Sequence, residues 1–173
     1  GGDGEMNMHY EDITKAHIDV LLNEALNNLY TKDEYLIDNR PICNEKSGNH
    51  HVGERAIVFR LAHYMQNIID DTPLLADYVL DCEYNRNGMC AKKLPSFPNG
   101  VYPDIIIHNR GDNDHNLLVM EVKTYWNPNN YTDKRKIREF LNVSGEYHFS
   151  FGISLTIERQ RGDVQINVLD AKK

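Results

Sequence analysis

The sequence predicts a mixed α/β domain in which one β-sheet is flanked by helices. Three observations carry that reading. Two N-terminal stretches, Glu11 to Tyr30 and Val52 to Ile69, repeat apolar residues at helical spacing. The residues after them change to short apolar segments separated by turn-forming clusters. A third helical pattern, 130–143, then stands between strand segments, and such interleaving is expected of a sheet with helical layers.

Taken in order, the first helix places Ile13, Ala16, Val20, Leu21, Ala25, Leu26 and Leu29 on its apolar side. Residues 31–50, with Pro41, Ser47 and Gly48, read as a connection. The second helix turns Ala56, Ile57, Leu61, Tyr64, Met65 and Ile68 inward, and Asp70-Asp71-Thr72-Pro73 ends it. Asp77 to Arg86 fits a strand with a turn at Asn87-Gly88, and Lys92 to Gly100 should be loop. Tyr102–Asn109 and Asn116–Tyr125 are two strands split by the turn-forming "RGDND". "NYTDKRKIREFLNV" is the helix at 130–143, with Ile137, Phe140 and Leu141 inward. Phe149–Glu158 and Val164–Leu169 complete the sheet around a turn at Arg161-Gly162-Asp163.

At 173 residues the chain suits a single core. It is 40% hydrophobic and 26% charged, which places it among globular domains rather than disordered or fibrous chains. No apolar run approaches the ~20 residues of a membrane helix, and no basic-then-apolar leader is read at its start. Gly1-Gly2 reads as a cloning remnant. Cys43, Cys82 and Cys90 are too few and scattered for a disulfide framework, so reduced thiols and a cytoplasmic setting are expected. Cys82 and Cys90 with His50 and His51 match no common zinc-ligand spacing.

The formal charge of −7 argues at first against nucleic acid, which ordinarily meets a basic surface. That charge is not evenly spread. Residues 1–45 hold ten acidic and three basic side chains, whereas residues 46–173 hold sixteen of each. The sequence therefore divides into an acidic N-terminal helical segment, 1–45, and a charge-balanced core, 46–173, within one domain.

The strongest chemical signal lies in "YPDIIIHNRGDNDHNLLVMEVKTYW", residues 102–126. Alternate residues of a strand share a face, so Glu121 and Lys123 point together, and Asp104 heads the neighbouring strand. Two carboxylates and an ammonium gathered in a sheet are costly unless paired or bound to metal. Carboxylates are also the hard oxygen ligands that Mg²⁺ and Mn²⁺ accept.

Pro103-Asp104, sixteen residues, then Glu121-Val122-Lys123 resembles the PD-(D/E)xK motif of the restriction-endonuclease-like nucleases. The expected elements from Val52 to Glu158 follow that family's order: a helix, a central mixed sheet, and a helix between its third and fourth strands. The resemblance implies a nuclease hydrolysing phosphodiester bonds, with DNA ahead of RNA as substrate. Asp104, Glu121 and Lys123 would be its catalytic set. It also implies one or two Mg²⁺ or Mn²⁺ held by Asp104, Glu121 and the Val122 carbonyl. Glu54, near the start of the second helix, would complete the ligands, and Glu83 is a second candidate. Carboxylates on metal would leave the core's working surface locally positive.

Lys134, Arg135, Lys136 and Arg138 give the 130–143 helix a basic face suited to phosphates, which as readily reads as a solvated surface. Tyr125 and Trp126 follow the motif strand; Tyr125 could stack on a base or sugar, and Trp126 reads better as packing. The runner-up is a catalytically silent member of the family serving as a binding or assembly module. A homodimer, or a partner protein held through the acidic N-terminal segment, is compatible with either.

Overall fold

The computed structural model describes residues 13–37 and 51–170. Helices α1 (Lys15–Lys32), α2 (Glu34–Ile37) and α3 (Glu54–Asp71) come first. Strands β1 (Val79–Cys82), β2 (Arg86–Asn87), β3 (Cys90–Ala91), β4 (Ile105–His108) and β5 (Asn116–Thr124) follow. Helix α4 (Tyr131–Leu141), β6 (Phe151–Ile157) and β7 (Gln165–Leu169) complete the order. The mixed α/β class expected from the sequence is what the molecule adopts. Glu11, Cys43 and His50, and the connection around Pro41 to Gly48, lie outside the described residues.

Five strands form one mixed sheet in the order β1-β4-β5-β6-β7. All its neighbours are antiparallel except β5 and β6, which run parallel with α4 as their crossover. A parallel pair needs a connection of this kind, because a tight turn can only reverse the chain. β5 sits at the centre and is apolar from Leu117 to Met120, as a strand covered on both faces should be.

One face of the sheet is covered by α1 and α3. Leu21, Leu22, Leu26 and Leu29 of α1 share a core with Ile57, Leu61 and Met65 of α3 and with Met120, Val122 and Leu155 of the sheet. Ala16 and Val20, expected inward, are exposed. The buried stripe runs instead through Ile18, Leu21, Leu22, Ala25, Leu26 and Leu29, whose i, i+3, i+4 spacing is the tighter fit. The Tyr30 hydroxyl donates to the Glu158 carbonyl, and the Arg161 guanidinium donates to the side chains of Asn23 and Asn27. These bonds tie α1 to the turn between β6 and β7.

The other face carries α4 and a smaller core of Ile106, Val119, Ile137, Phe140, Tyr147 and Phe149. Gly152 of β6 lets the helix come close, since a Cβ there would lie 2.5 Å from Ile137 Cγ2 and 2.8 Å from Leu141 Cδ1. The strand expected over Asp77 to Arg86 is shorter. It ends at Cys82, because Glu83 adopts φ +52° in the left-handed region and turns the chain out of the ladder. Arg86–Asn87 then pairs with Cys90–Ala91 as a separate two-stranded hairpin around Gly88.

Candidate active site

Asp104 stands just before β4, and its Oδ2 accepts a hydrogen bond from the Val122 N–H of β5 at 2.9 Å. A side chain thus continues the β4–β5 contact where the backbone ladder stops, and it brings Asp104 beside Glu121. The Asp104 carboxyl is near enough to act on the Glu121 pKa. Glu121 and Lys123 point to the α4 side, while Met120 and Val122 point into the larger core. The face assignment made from strand alternation therefore holds in the structure.

Glu121 is 2% exposed. Burial pushes its carboxyl well above the usual carboxylate range, and the charge of Asp104 adds to the shift, while the nearby Lys136 ammonium opposes it. Lys136 Nζ stands 3.1 Å from Glu121 Oε1, yet the angles leave that oxygen without a hydrogen-bond donor. Lys123 Nζ lies 3.3 Å from Asp133 Oδ2 of α4 and 3.7 Å from Glu54 Oε1 at the first turn of α3. Burial alone would pull the Lys123 pKa down, but Asp133 and Glu54 outweigh it and hold the pKa above the ordinary lysine value. Glu54 is raised, first by burial and then by Asp104 and Asp133, against the lowering effect of Lys123.

Four carboxylates, Glu54, Asp104, Glu121 and Asp133, thus crowd around two ammonium groups, Lys123 and Lys136. Glu54 Oε2, Glu121 Oε1 and Asp133 Oδ2 are buried oxygens without a hydrogen-bond partner. Two of them face an ammonium, Glu121 Oε1 that of Lys136 at 3.1 Å and Asp133 Oδ2 that of Lys123 at 3.3 Å, so charge rather than a well-angled hydrogen bond holds them. No protein-family model, curated protein or solved structure matches this chain.

The donor set fits a divalent cation in kind: hard oxygens and an excess of two negative charges when all six groups are ionised. As the side chains stand, no three acidic, His or Cys groups among the described residues converge on one point at ligand spacing. Asp104 acts on the Glu121 pKa, and Glu54 approaches from the Lys123 side.

Of the other residues singled out from the sequence, Val122 contributes its N–H to Asp104. Glu83 lines one cavity with Glu54 and Asp104 and is paired with Arg55. Its backbone N–H donates to the carbonyls of Pro103 (2.9 Å) and Asp104 (3.3 Å), and its carboxylate lies 3.3 Å from Arg55 Nε. Tyr125 is packed: its hydroxyl donates to the Ile37 carbonyl and the Arg159 guanidinium lies over its ring. Trp126 stacks on His51 at 4.5 Å.

The basic face of α4 divides. Lys136 leaves it for Glu121, because position 136 lies on the same side of the helix as the inward Asp133, Ile137 and Phe140. Lys134, Arg135 and Arg138 line a groove of about 500 Å³ beside Pro95 and Ser96. None of these three forms an ion pair with a described residue.

From the sequence, Asp133 was only an acid set against the basic face of the 130–143 helix, with no place at the site. A signal for it existed, since 133, 137, 140 and 141 follow the i, i+4, i+7, i+8 spacing of a buried stripe. A carboxylate at the first position of such a stripe has to be paired or functional.

Proposed function

We propose that the chain is a metal-dependent phosphodiesterase acting on nucleic acid, DNA ahead of RNA, built on a restriction-endonuclease-like core. The observation that carries this reading is the group of four carboxylates packed around Lys123 and Lys136 at the end of the central strand. A plain structural sheet gains nothing from four carboxylates there. The sheet and its crossover helix, together with the Asp104, Glu121 and Lys123 spacing, agree with the resemblance read from the sequence.

In this reading Asp104 and Glu121 would hold a Mg²⁺ or Mn²⁺, with Glu54 or Asp133 as the further carboxylate available to it. Such an ion lowers the pKa of bound water and offsets charge on the phosphoryl oxygens. Lys123, protonated and steadied by Asp133 and Glu54, orients a phosphate oxygen or the attacking water and stabilises negative charge as it develops. Lys136 keeps Glu121 aimed between β5 and α4. Lys134, Arg135 and Arg138 of the α4 groove, which form no ion pair among the described residues, supply contacts to the phosphate backbone.

The test is hydrolysis of a panel of single-stranded, double-stranded, branched and RNA substrates with Mg²⁺ or Mn²⁺. Cleavage is expected, and Lys123→Ala or Glu121→Ala should lower its rate by about a hundredfold or more. Calorimetric titration of the metal should show binding that Asp104→Asn abolishes. A second reading, a catalytically silent binding module, is favoured by the lack of three converged ligands among the described residues. It would be the right one if the panel stays intact and no metal binds.

A further inference from the structure

We propose that the cavity next to the carboxylate cluster receives a single unstacked nucleobase, so that the substrate is single-stranded or locally unpaired nucleic acid. The inference rests on the phosphodiesterase reading and names the substrate class of that same site. The cavity, about 220 Å³, opens between α3 and the end of β1. Glu54 and Asp104 belong both to its wall and to the carboxylate cluster. A group seated in it is therefore a direct neighbour of any phosphate held at Asp104.

The lining matches a base better than a phosphate or sugar. Val58, Phe59 and Cys82 provide apolar surface, and the charged groups sit around it. Phe59 is the telling residue. The other large apolar side chains of α3, from Ile57 to Ile69, are buried or partly buried in the core, yet Phe59 is 65% exposed and turned to the cavity. One exposed aromatic is unremarkable on a surface, but an aromatic face beside a hydrolytic cluster is a stacking platform.

The rim adds polar definition. Arg55 lies one helical turn before Phe59 with its side chain 89% exposed, paired with Glu83. Together they offer donors and an acceptor to a base edge or to the adjoining phosphate. Glu83 is held in its left-handed conformation by the Pro103 and Asp104 carbonyls, which locks the rim to the backbone of Asp104 itself. At about 220 Å³ the space is smaller than the ~300–1,000 Å³ of drug-sized pockets and suits one flat ring system. A base inside an intact duplex cannot enter it without leaving its stack.

Binding and cutting can be read apart in the full chain carrying Lys123→Ala, by anisotropy of labelled oligonucleotides of one sequence, single-stranded or duplex. The single strand should bind more tightly. Phe59→Ala should weaken single-strand binding by about 5- to 150-fold, and Phe59→Trp should restore it. An abasic residue scanned through the strand should reproduce that loss at one position. On that oligonucleotide Phe59→Ala should cost nothing further. Equal binding of duplex and single strand, or a Phe59→Ala loss that is the same on every abasic strand, overturns the base pocket. If the native chain still cuts duplex and Phe59→Ala leaves its rate unchanged, the pocket fails and the phosphodiesterase reading stands. If no oligonucleotide is bound or cut, both fail.

Discussion

At the scale of single residues, the pair Glu121–Lys136 shows how a site can cost a fold stability. Glu121 is buried, raised in pKa and set beside another carboxyl, and Lys136 is its nearest cation. Lys136→Met should therefore lower stability at neutral pH by about 3 kcal/mol, because a buried charge is left uncompensated. Adding Glu121→Gln should recover most of that loss, a non-additivity that urea unfolding in chelator would measure. The pH dependence has a definite sign. The folded pKa of Glu121 lies above its unfolded one, so the folded state binds the extra proton and the carboxyl destabilises the fold more as pH rises. The gap between Lys136→Met and its parent should shrink as pH falls. The juxtaposition of Asp104, Glu121 and Lys123 was legible in the sequence because strand alternation fixes it. The partners Asp133 and Lys136 were not, since a helix that carries charge on every side does not announce which charge turns inward.

At the scale of elements, α4 does two jobs with one sequence. Its inward side seats Asp133 and Lys136 against the motif strand through the close approach at Gly152, and its outward side presents the groove. The outward side makes a separate prediction. Replacing Lys134, Arg135 and Arg138 together by alanine should lower the slope of log binding against log salt by about 2–3. The rate of cleavage once substrate is bound should hardly change. Fluorescence titrations at several salt concentrations would check it, and an unaltered slope would show that the groove does not touch phosphates. Strand β5 and helix α3 were readable because their apolar periods are long and regular. Strand β1 was read too long because its end depends on the left-handed Glu83. No glycine marks that break, and hydrogen bonds to distant carbonyls enforce it.

At the scale of the whole molecule, the division at residue 45 seen in the charge does not coincide with a division in packing. Leu21, Leu22, Ala25, Leu26 and Leu29 are buried in the same core as the sheet. Asp33 at the end of α1 accepts from Arg60 of α3 and from the Tyr64 hydroxyl. Charge could be read from composition, whereas the attachment needed the fold: polar residues dominate the segment, and only six buried side chains secure α1. A chain beginning at Val52 should fail to fold cooperatively, giving a broad, non-sigmoidal thermal transition by circular dichroism. A sharp transition would mean that the core stands without α1. The clamp between α1 and the β6–β7 turn also orders events in time. Its bonds join residues 128, 134 and 138 positions apart, so this anchor of α1 can form only long after the Asp33 contacts to Arg60 and Tyr64. During synthesis α1 emerges early with an apolar stripe and no sheet to cover it. The interval before β7 leaves the ribosome is when this protein is most exposed to misassembly.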